Sequence, residues 1–152
     1  MGLITQQTWI YAALMLLAGF GIPIMAALNG GLSIRLQSTA VASCILLSVA
    51  LLSAVAITLF TEGIPSSIYR SPTPFYYYLG GFFVVFYTFT ITWVAPRFGV
   101  GNAVAFVLLG QLIAMTLIDQ IGLLGSPQVS ISLQRIVGLA FMALGVFLVV
   151  KD

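Results

Sequence analysis

The chain has 152 residues, of which 61% are hydrophobic and only 5% are charged. A soluble domain carries about 25% charged residues, so the few charges here cannot cover a surface that faces water. A net charge of +2 without a basic patch excludes nucleic acid as a partner. The absence of histidine and the single cysteine predict no metal site, no cofactor and no enzyme chemistry.

Five continuously apolar stretches are long enough to cross a hydrocarbon core of about 30 Å, which takes about 20 helical residues. In chain order they are residues 9–28 (extendable toward Arg35), 39–60, 75–95, 99–118 and 132–150. Strands of a membrane barrel would alternate polar and apolar residues, and these stretches do not. The sequence therefore predicts an all-α integral membrane protein that forms one five-helix domain over residues 1–152.

The connections agree with this division. Residues 61–74 are rich in proline and serine, residues 96–99 contain Pro96 and Gly99, and residues 119–130 contain glycines and Pro127. None is long enough for a soluble domain. The first helix lacks a positive leading segment and is too long for the core of a signal peptide, so we expect it to be retained.

Basic residues are distributed almost evenly between the two sides of the membrane. Five spans place Arg35, Arg97 and Lys151 on one side, and Arg70, Arg135 and the N-terminal amine on the other. Positive charge favours the cytoplasmic side, so this balance gives only a weak preference for an outside N-terminus. Either the chain inserts one way, or it inserts both ways and pairs as an antiparallel ten-helix homodimer, which supplies the inverted repeat of many transporters.

Acidic and basic residues are absent from the middle of every predicted span. Asp119 and Arg135 stand at span ends, where anchoring at the membrane interface is the simplest interpretation. A central carboxylate that exchanges a proton for a cation is therefore disfavoured. The neutral Gln111, beside Gly110 in helix 4, either bonds between helices or faces a cavity that binds a polar solute.

Helix 1 carries small residues and a proline on one face. Gly19, Pro23, Ala26 and Gly30 follow each other at steps of four, three and four residues. Pro23 frees the Gly19 carbonyl, which must then find a partner in a neighbouring helix or a watery cavity. The face therefore serves either close helix packing or a kink at a solute pathway.

Helix 3 is rich in aromatic residues, most of which lie near its ends as an aromatic belt does. Tyr87 is near the middle and needs a hydrogen-bond partner. Gly80, Val84, Thr88 and Thr92 form a small, partly polar stripe at four-residue spacing. Tyr87 and Thr88 are thus candidate pocket residues, with helix packing as the alternative.

Several segments together resemble the YdcZ-type family of small inner-membrane exporters in the drug/metabolite transporter superfamily. They occur in the family's order over nearly the whole chain: residues 21–32 (GIPIMAALNGGL), 74–76 with 80–81 (PFY, GG), 96–99 (PRFG), 110–111 (GQ), 119–125 (DQIGLLG) and 133–138 (LQRIVG). Each motif alone is weak, but their order and spacing are fairly specific.

This resemblance implies a half-transporter of five helices in a bacterial inner membrane. Family members occur as dual-topology single chains, as oppositely oriented pairs and as ten-helix fusions, which favours the antiparallel homodimer. Asn29, Gln111 and Asp119 match the family pattern and are carried over as important. Met25 stands where the family often has Gln, and Gln120 where it often has His, so a shared substrate is not implied.

The sequence predicts a small-solute transporter that works by alternating access, with the lipid bilayer, a second copy and an unidentified small molecule as partners. Helices 1–4 line the pathway and helix 5 packs the dimer. The candidate contacts are Asn29, Tyr87, Thr88 and Gln111, and their neutral chemistry suggests a neutral, zwitterionic or amphipathic solute. The alternatives are a passive channel, which saturable exchange would exclude, and an assembly subunit, which a stable purified homodimer would disfavour.

Overall fold

The computed structural model describes residues 2–63, 73–123 and 128–150, with side chains from Thr8 onward. These residues contain five helices long and apolar enough to span a membrane, and no strand: α1 (Gly2–Leu36), α2 (Thr39–Thr61), α3 (Gly80–Phe98, preceded by a 3₁₀ turn over Phe75–Leu79), α4 (Val100–Ile121) and α5 (Leu133–Val150). The predicted five-span helical fold is confirmed. Arg70, Leu124, Gly125, Pro127 and Lys151, used in the sequence argument, lie outside the described residues.

Helix α1 reaches Leu36, as its predicted extension toward Arg35 required. Its apolar part, Thr8–Leu36, has 29 residues and is about 43 Å long, more than a hydrocarbon core of about 30 Å. Helix α1 ends where Gln37 adopts a positive φ of 52°. Ser38 then caps α2, its hydroxyl oxygen accepting from the Val41 N–H at 3.2 Å.

The break between α3 and α4 falls at Gly99, and α3 continues past the predicted end at Ala95 to Phe98. Pro96 is tolerated because it stands in the last turn, where its missing N–H leaves only the Thr92 carbonyl without its helical bond. Gly99 has φ +90°, a conformation that residues with a side chain rarely adopt.

The chain divides into two compact units, which we describe separately. The central unit is Ile24–Arg97, and the terminal unit combines residues 1–23 with residues 98–152. The boundary in α1 therefore follows Pro23, and the boundary between α3 and α4 precedes Phe98.

The central unit packs on small side chains. In α1 the buried residues Ala26, Asn29, Gly30 and Ser33 recur at the i, i+3, i+4, i+7 spacing of one helical face. In α3 the same spacing relates the buried residues Thr88, Ile91, Thr92 and Ala95. Small residues let the helices of a membrane protein approach closely, which is how such proteins associate without a hydrophobic driving force.

Four hydroxyl groups of α2 are satisfied within the helix. Ser48, Ser53, Thr58 and Thr61 each donate to the carbonyl four residues earlier, at 2.8–3.0 Å. These bonds let exposed hydroxyls stand in a lipid-facing helix without water. The polar residues of α2 therefore do not mark a pathway by their presence alone.

In the terminal unit α4 packs against α5. Helix α4 ends at Gly122, which adopts the left-handed conformation and donates its N–H to the Ile118 carbonyl. Gln120 then organises the described part of the connection: its Oε1 accepts from the Ile131 N–H at 2.6 Å, and its carbonyl accepts from the Gln128 amide at 3.1 Å. No described residue of α5 is buried.

Candidate functional site

A groove of about 330 Å³ lies between α1 and α4 within the terminal unit. Nearly all of its lining is apolar: Met15, Leu16, Gly19, Phe20, Ile22 and Pro23 from α1, and Val104, Val107, Leu108 and Gln111 from α4. Its volume is at the lower end of small-molecule sites, which are mostly apolar with a few placed polar groups. We call it the Gln111 groove.

The polar groups of this groove come from the residues that the sequence singled out. The Gln111 side chain is exposed, and it forms no hydrogen bond with a described residue. Pro23 has no N–H, so the Gly19 carbonyl lacks its helical bond, and both residues line the groove. Both Gln111 and Gly19 therefore line the groove, although nearly all of the surface that the lining residues present to it is apolar.

In the central unit, Asn29 and Thr88 belong to a buried chain of hydrogen bonds. The Asn29 amide donates to the Thr92 hydroxyl, which donates to the Thr88 carbonyl at 2.6 Å. Asn29 is 3% exposed and Thr92 is fully buried. The Asn29 amide is thus used for a hydrogen bond between α1 and α3, of the kind that joins helices in membrane proteins.

Tyr87 differs from its neighbour Thr88. Its side chain is half-buried, and its hydroxyl is buried without a hydrogen-bond partner among the described residues. The Ser43 hydroxyl in α2 is in the same condition. Leaving a buried hydroxyl unpaired costs about 1–3 kcal/mol, so both groups favour any state in which a partner reaches them.

The glycines divide by environment. A Cβ added to Gly30 would lie 3.0 Å from Cγ of Pro96, so Gly30 allows the close approach of α1 and α3. A Cβ added to Gly19 or Gly110 would meet nothing within 4 Å. Close packing within this chain therefore accounts for Gly30 and not for Gly19 or Gly110.

Asp119 and Arg135 form a salt bridge of 2.6 Å between the end of α4 and the start of α5. The two side chains are 21% and 27% exposed, respectively. The sequence placed both residues at span ends, and the structure pairs them there. Their role within the terminal unit is to join the two helices beside the connection that Gln120 organises.

The structure thus divides the predicted site residues into two groups. Gln111, Gly19 and Pro23 share one groove, whereas Asn29, Thr88 and Gly30 belong to the packed core of the central unit. Neither the burial of Ser33 nor the contact of Pro96 with Gly30 was predicted from the sequence. The pattern that could have indicated them is the recurrence of small and hydroxyl residues at i, i+3, i+4 and i+7 in α1 and α3.

Comparison with protein families gives one match. A family model described as "Putative inner membrane exporter, YdcZ" matches residues 10–148, which cover all five spans in whole or in large part. Comparison with curated proteins and with solved structures gives no match.

Proposed function

The chain belongs to the YdcZ family of inner-membrane exporters, and from this premise we propose that it exports a small solute by alternating access as an antiparallel homodimer. The family and the five apolar helices make it a multi-pass inner-membrane protein. The family describes a transporter, in line with the prediction that the chain is not an enzyme.

The observation that carries the proposed chemistry is the Gln111 groove. Its apolar lining includes Gln111, and the described spans contain no acidic or basic side chain near their middle. Such a groove favours a neutral, zwitterionic or amphipathic solute over a permanent cation, because a desolvated cation needs a counter-charge. We assign Gln111 and the Gly19 carbonyl as solute contacts, with Pro23 keeping that carbonyl free.

Asn29, Tyr87 and Thr88 enter the proposal in other roles. The Asn29 amide joins α1 to α3 through the Thr92 hydroxyl, and Thr88, buried in α3, accepts from that hydroxyl with its backbone carbonyl. The unpaired Tyr87 hydroxyl is the third proposed solute contact. In one of the two states of the alternating-access cycle, this hydroxyl would reach the pathway. There it would donate a hydrogen bond to the solute or to water.

One chain leaves most of its apolar surface uncovered, and that surface contacts either lipid or a second copy. At most 22% of the residues in the apolar window of any span are buried, and none in that of α5. Phe141, Leu144, Phe147 and Leu148 are exposed on α5. We propose that α5 packs against the second copy. We also propose that Gly110, in α4, allows a helix of the second copy to approach closely. The nearly even count of basic residues on the two sides supports the opposite orientation of that copy.

A counterflow assay tests the proposed transport. Purified protein in liposomes is given two probes, the neutral amphipath chloramphenicol and the permanent cation tetraphenylphosphonium. We expect protein-dependent uptake of chloramphenicol that saturates and is accelerated by unlabelled chloramphenicol on the opposite side. Flux without such acceleration would indicate a channel. Micromolar binding of tetraphenylphosphonium would contradict the proposed solute class.

A further inference from the structure

A second cavity, of about 360 Å³, lies entirely within the central unit and differs in chemistry from the Gln111 groove. It is formed where α1 ends, α2 begins and α3 ends. Its polar lining consists of Ser33, Gln37, Ser38, Thr39 and Arg97. We call it the Arg97 cavity, and we propose that it binds an anionic phosphate group.

Arg97 is fixed in place and keeps most of its donors. Its guanidinium lies over the Trp93 ring, 4.7 Å from the ring centroid, and one of its N–H groups donates to the Trp93 carbonyl. A guanidinium has five N–H donors, so most remain for another acceptor. Among the described residues no acidic side chain pairs with Arg97. Arginine presents its donors in a planar fork that matches phosphate oxygens.

The remaining polar groups add donors rather than negative charge. The Ser38 hydroxyl oxygen accepts from the Val41 N–H, which leaves its proton free to donate. Ser33 and Thr39 share one hydrogen bond of 3.0 Å, so one of their two hydroxyl protons is also left. The Gln37 amide offers two further donors.

The partial charges of the three helix ends do not cancel the preference of the Arg97 cavity for an anion. The last turns of α1 and α3 carry partial negative charge, but Arg35 and Arg97 stand in those turns and offset it. Helix α2 begins at the cavity and contributes partial positive charge. A full guanidinium charge with free hydroxyl and amide donors, and no carboxylate in the lining, fits an anion.

The level of the cavity in the membrane indicates the source of the phosphate group. Three spans end or begin here, so the cavity lies at the level of the membrane interface, where lipid headgroups are. The apolar side chains of Ile34 and Pro96 complete its lining, as suits a headgroup attached to an acyl chain. A free phosphate ion has the same chemistry, and the experiment separates the two sources.

The test measures binding of two probes to the detergent-purified protein by native mass spectrometry and isothermal titration. The probes are dioleoylphosphatidylglycerol and inorganic phosphate. We expect Arg97→Gln to weaken binding at least about tenfold, because a charge-assisted hydrogen bond to phosphate is lost. The matched control is Arg35→Gln, which removes a charge at the same end of the unit but outside the cavity lining.

Binding of the lipid alone, or of both probes, with a greater loss in Arg97→Gln than in Arg35→Gln, supports a lipid headgroup site. Binding of inorganic phosphate alone supports a site for the free ion. If Arg97→Gln does not give monodisperse protein, Gln37→Leu replaces it, with an expected loss of about threefold from one neutral hydrogen bond. The proposal is overturned if neither probe binds, or if the cavity variant and Arg35→Gln weaken binding equally.

Discussion

In the central unit, Asn29 and Thr92 are buried and bonded to each other, whereas in the terminal unit Gln111 is exposed and lines an apolar groove. Both amides stand on long apolar helices, and the sequence presented both as candidate solute contacts. The difference lies in the hydrogen-bond partner: the Thr92 hydroxyl accepts from Asn29, whereas Gln111 has no partner among the described residues. A polar residue in a membrane helix is thus assigned to structure or to transport by what faces it.

The two units also differ in how many of their described residues are buried. Of the buried residues in the described chain, all but Ala103 and Thr116 belong to the central unit. The central unit has the interlocked small faces of α1 and α3, and the terminal unit has a salt bridge and a groove. We therefore expect substitutions in the central unit to change stability and those in the groove to change transport.

The largest expected effect is on transport. Gln111→Leu should lower chloramphenicol counterflow at least about tenfold, because the groove loses its side-chain hydrogen-bonding group. The melting temperature should stay unchanged, because Gln111 bonds to no described residue. The matched control is Asn102→Leu on the same helix, whose amide donates to the Phe98 carbonyl. An equal loss of transport in both variants would contradict the role of Gln111 as a solute contact.

The next effect is on stability in the central unit. Gly30→Leu should lower the free energy of unfolding by about 1–3 kcal/mol, because even its Cβ would crowd the Pro96 ring. Gly31→Leu is the matched control, since a Cβ there meets nothing within 4 Å. Reversible unfolding in mixed detergent measures both. Equal losses would indicate that helix propensity, and not the contact with Pro96, decides the result.

A smaller effect is expected from the buried hydrogen bond. A double-mutant cycle of Asn29→Leu and Thr92→Val should give a coupling free energy of about 0.6 kcal/mol, and at most about 1.7 kcal/mol. The control cycle pairs Asn29→Leu with Thr116→Val, whose hydroxyl donates within α4 to the Leu112 carbonyl. It should show no coupling. Zero coupling in the first cycle would contradict the structural role of Asn29.

The smallest effect concerns the salt bridge of the terminal unit. The cycle of Asp119→Asn and Arg135→Gln should give a coupling of about 0.2–1 kcal/mol that shrinks as salt is added, because both groups are partly exposed. Unfolding at low and high ionic strength measures it. A larger coupling that does not respond to salt would mean that the pair is shielded in the assembled protein.

The sequence predicted the spans well because about 20 apolar residues and a few breaking residues determine them. It also predicted that Gly19, Pro23 and Gln111 matter, and these three share the groove. It could not separate Asn29 from Gln111, because spacing along one helix does not say which side chain another helix presents. The predicted break over residues 96–99 is confirmed, but it falls at Gly99 alone, because a proline in a last turn loses only one backbone bond and lets α3 continue past Pro96.

The central claim is the antiparallel homodimer, and the orientation of the chain tests it most directly. Single cysteines are introduced in a Cys44→Ala background at Gln37 and at Ser130, both exposed and on opposite sides of the five-span topology. Intact cells are then labelled with a membrane-impermeant maleimide. We predict that about half of the molecules are labelled at each position, as the proposed insertion in both orientations requires. Near-complete labelling at one position with near-complete protection at the other would contradict the antiparallel homodimer.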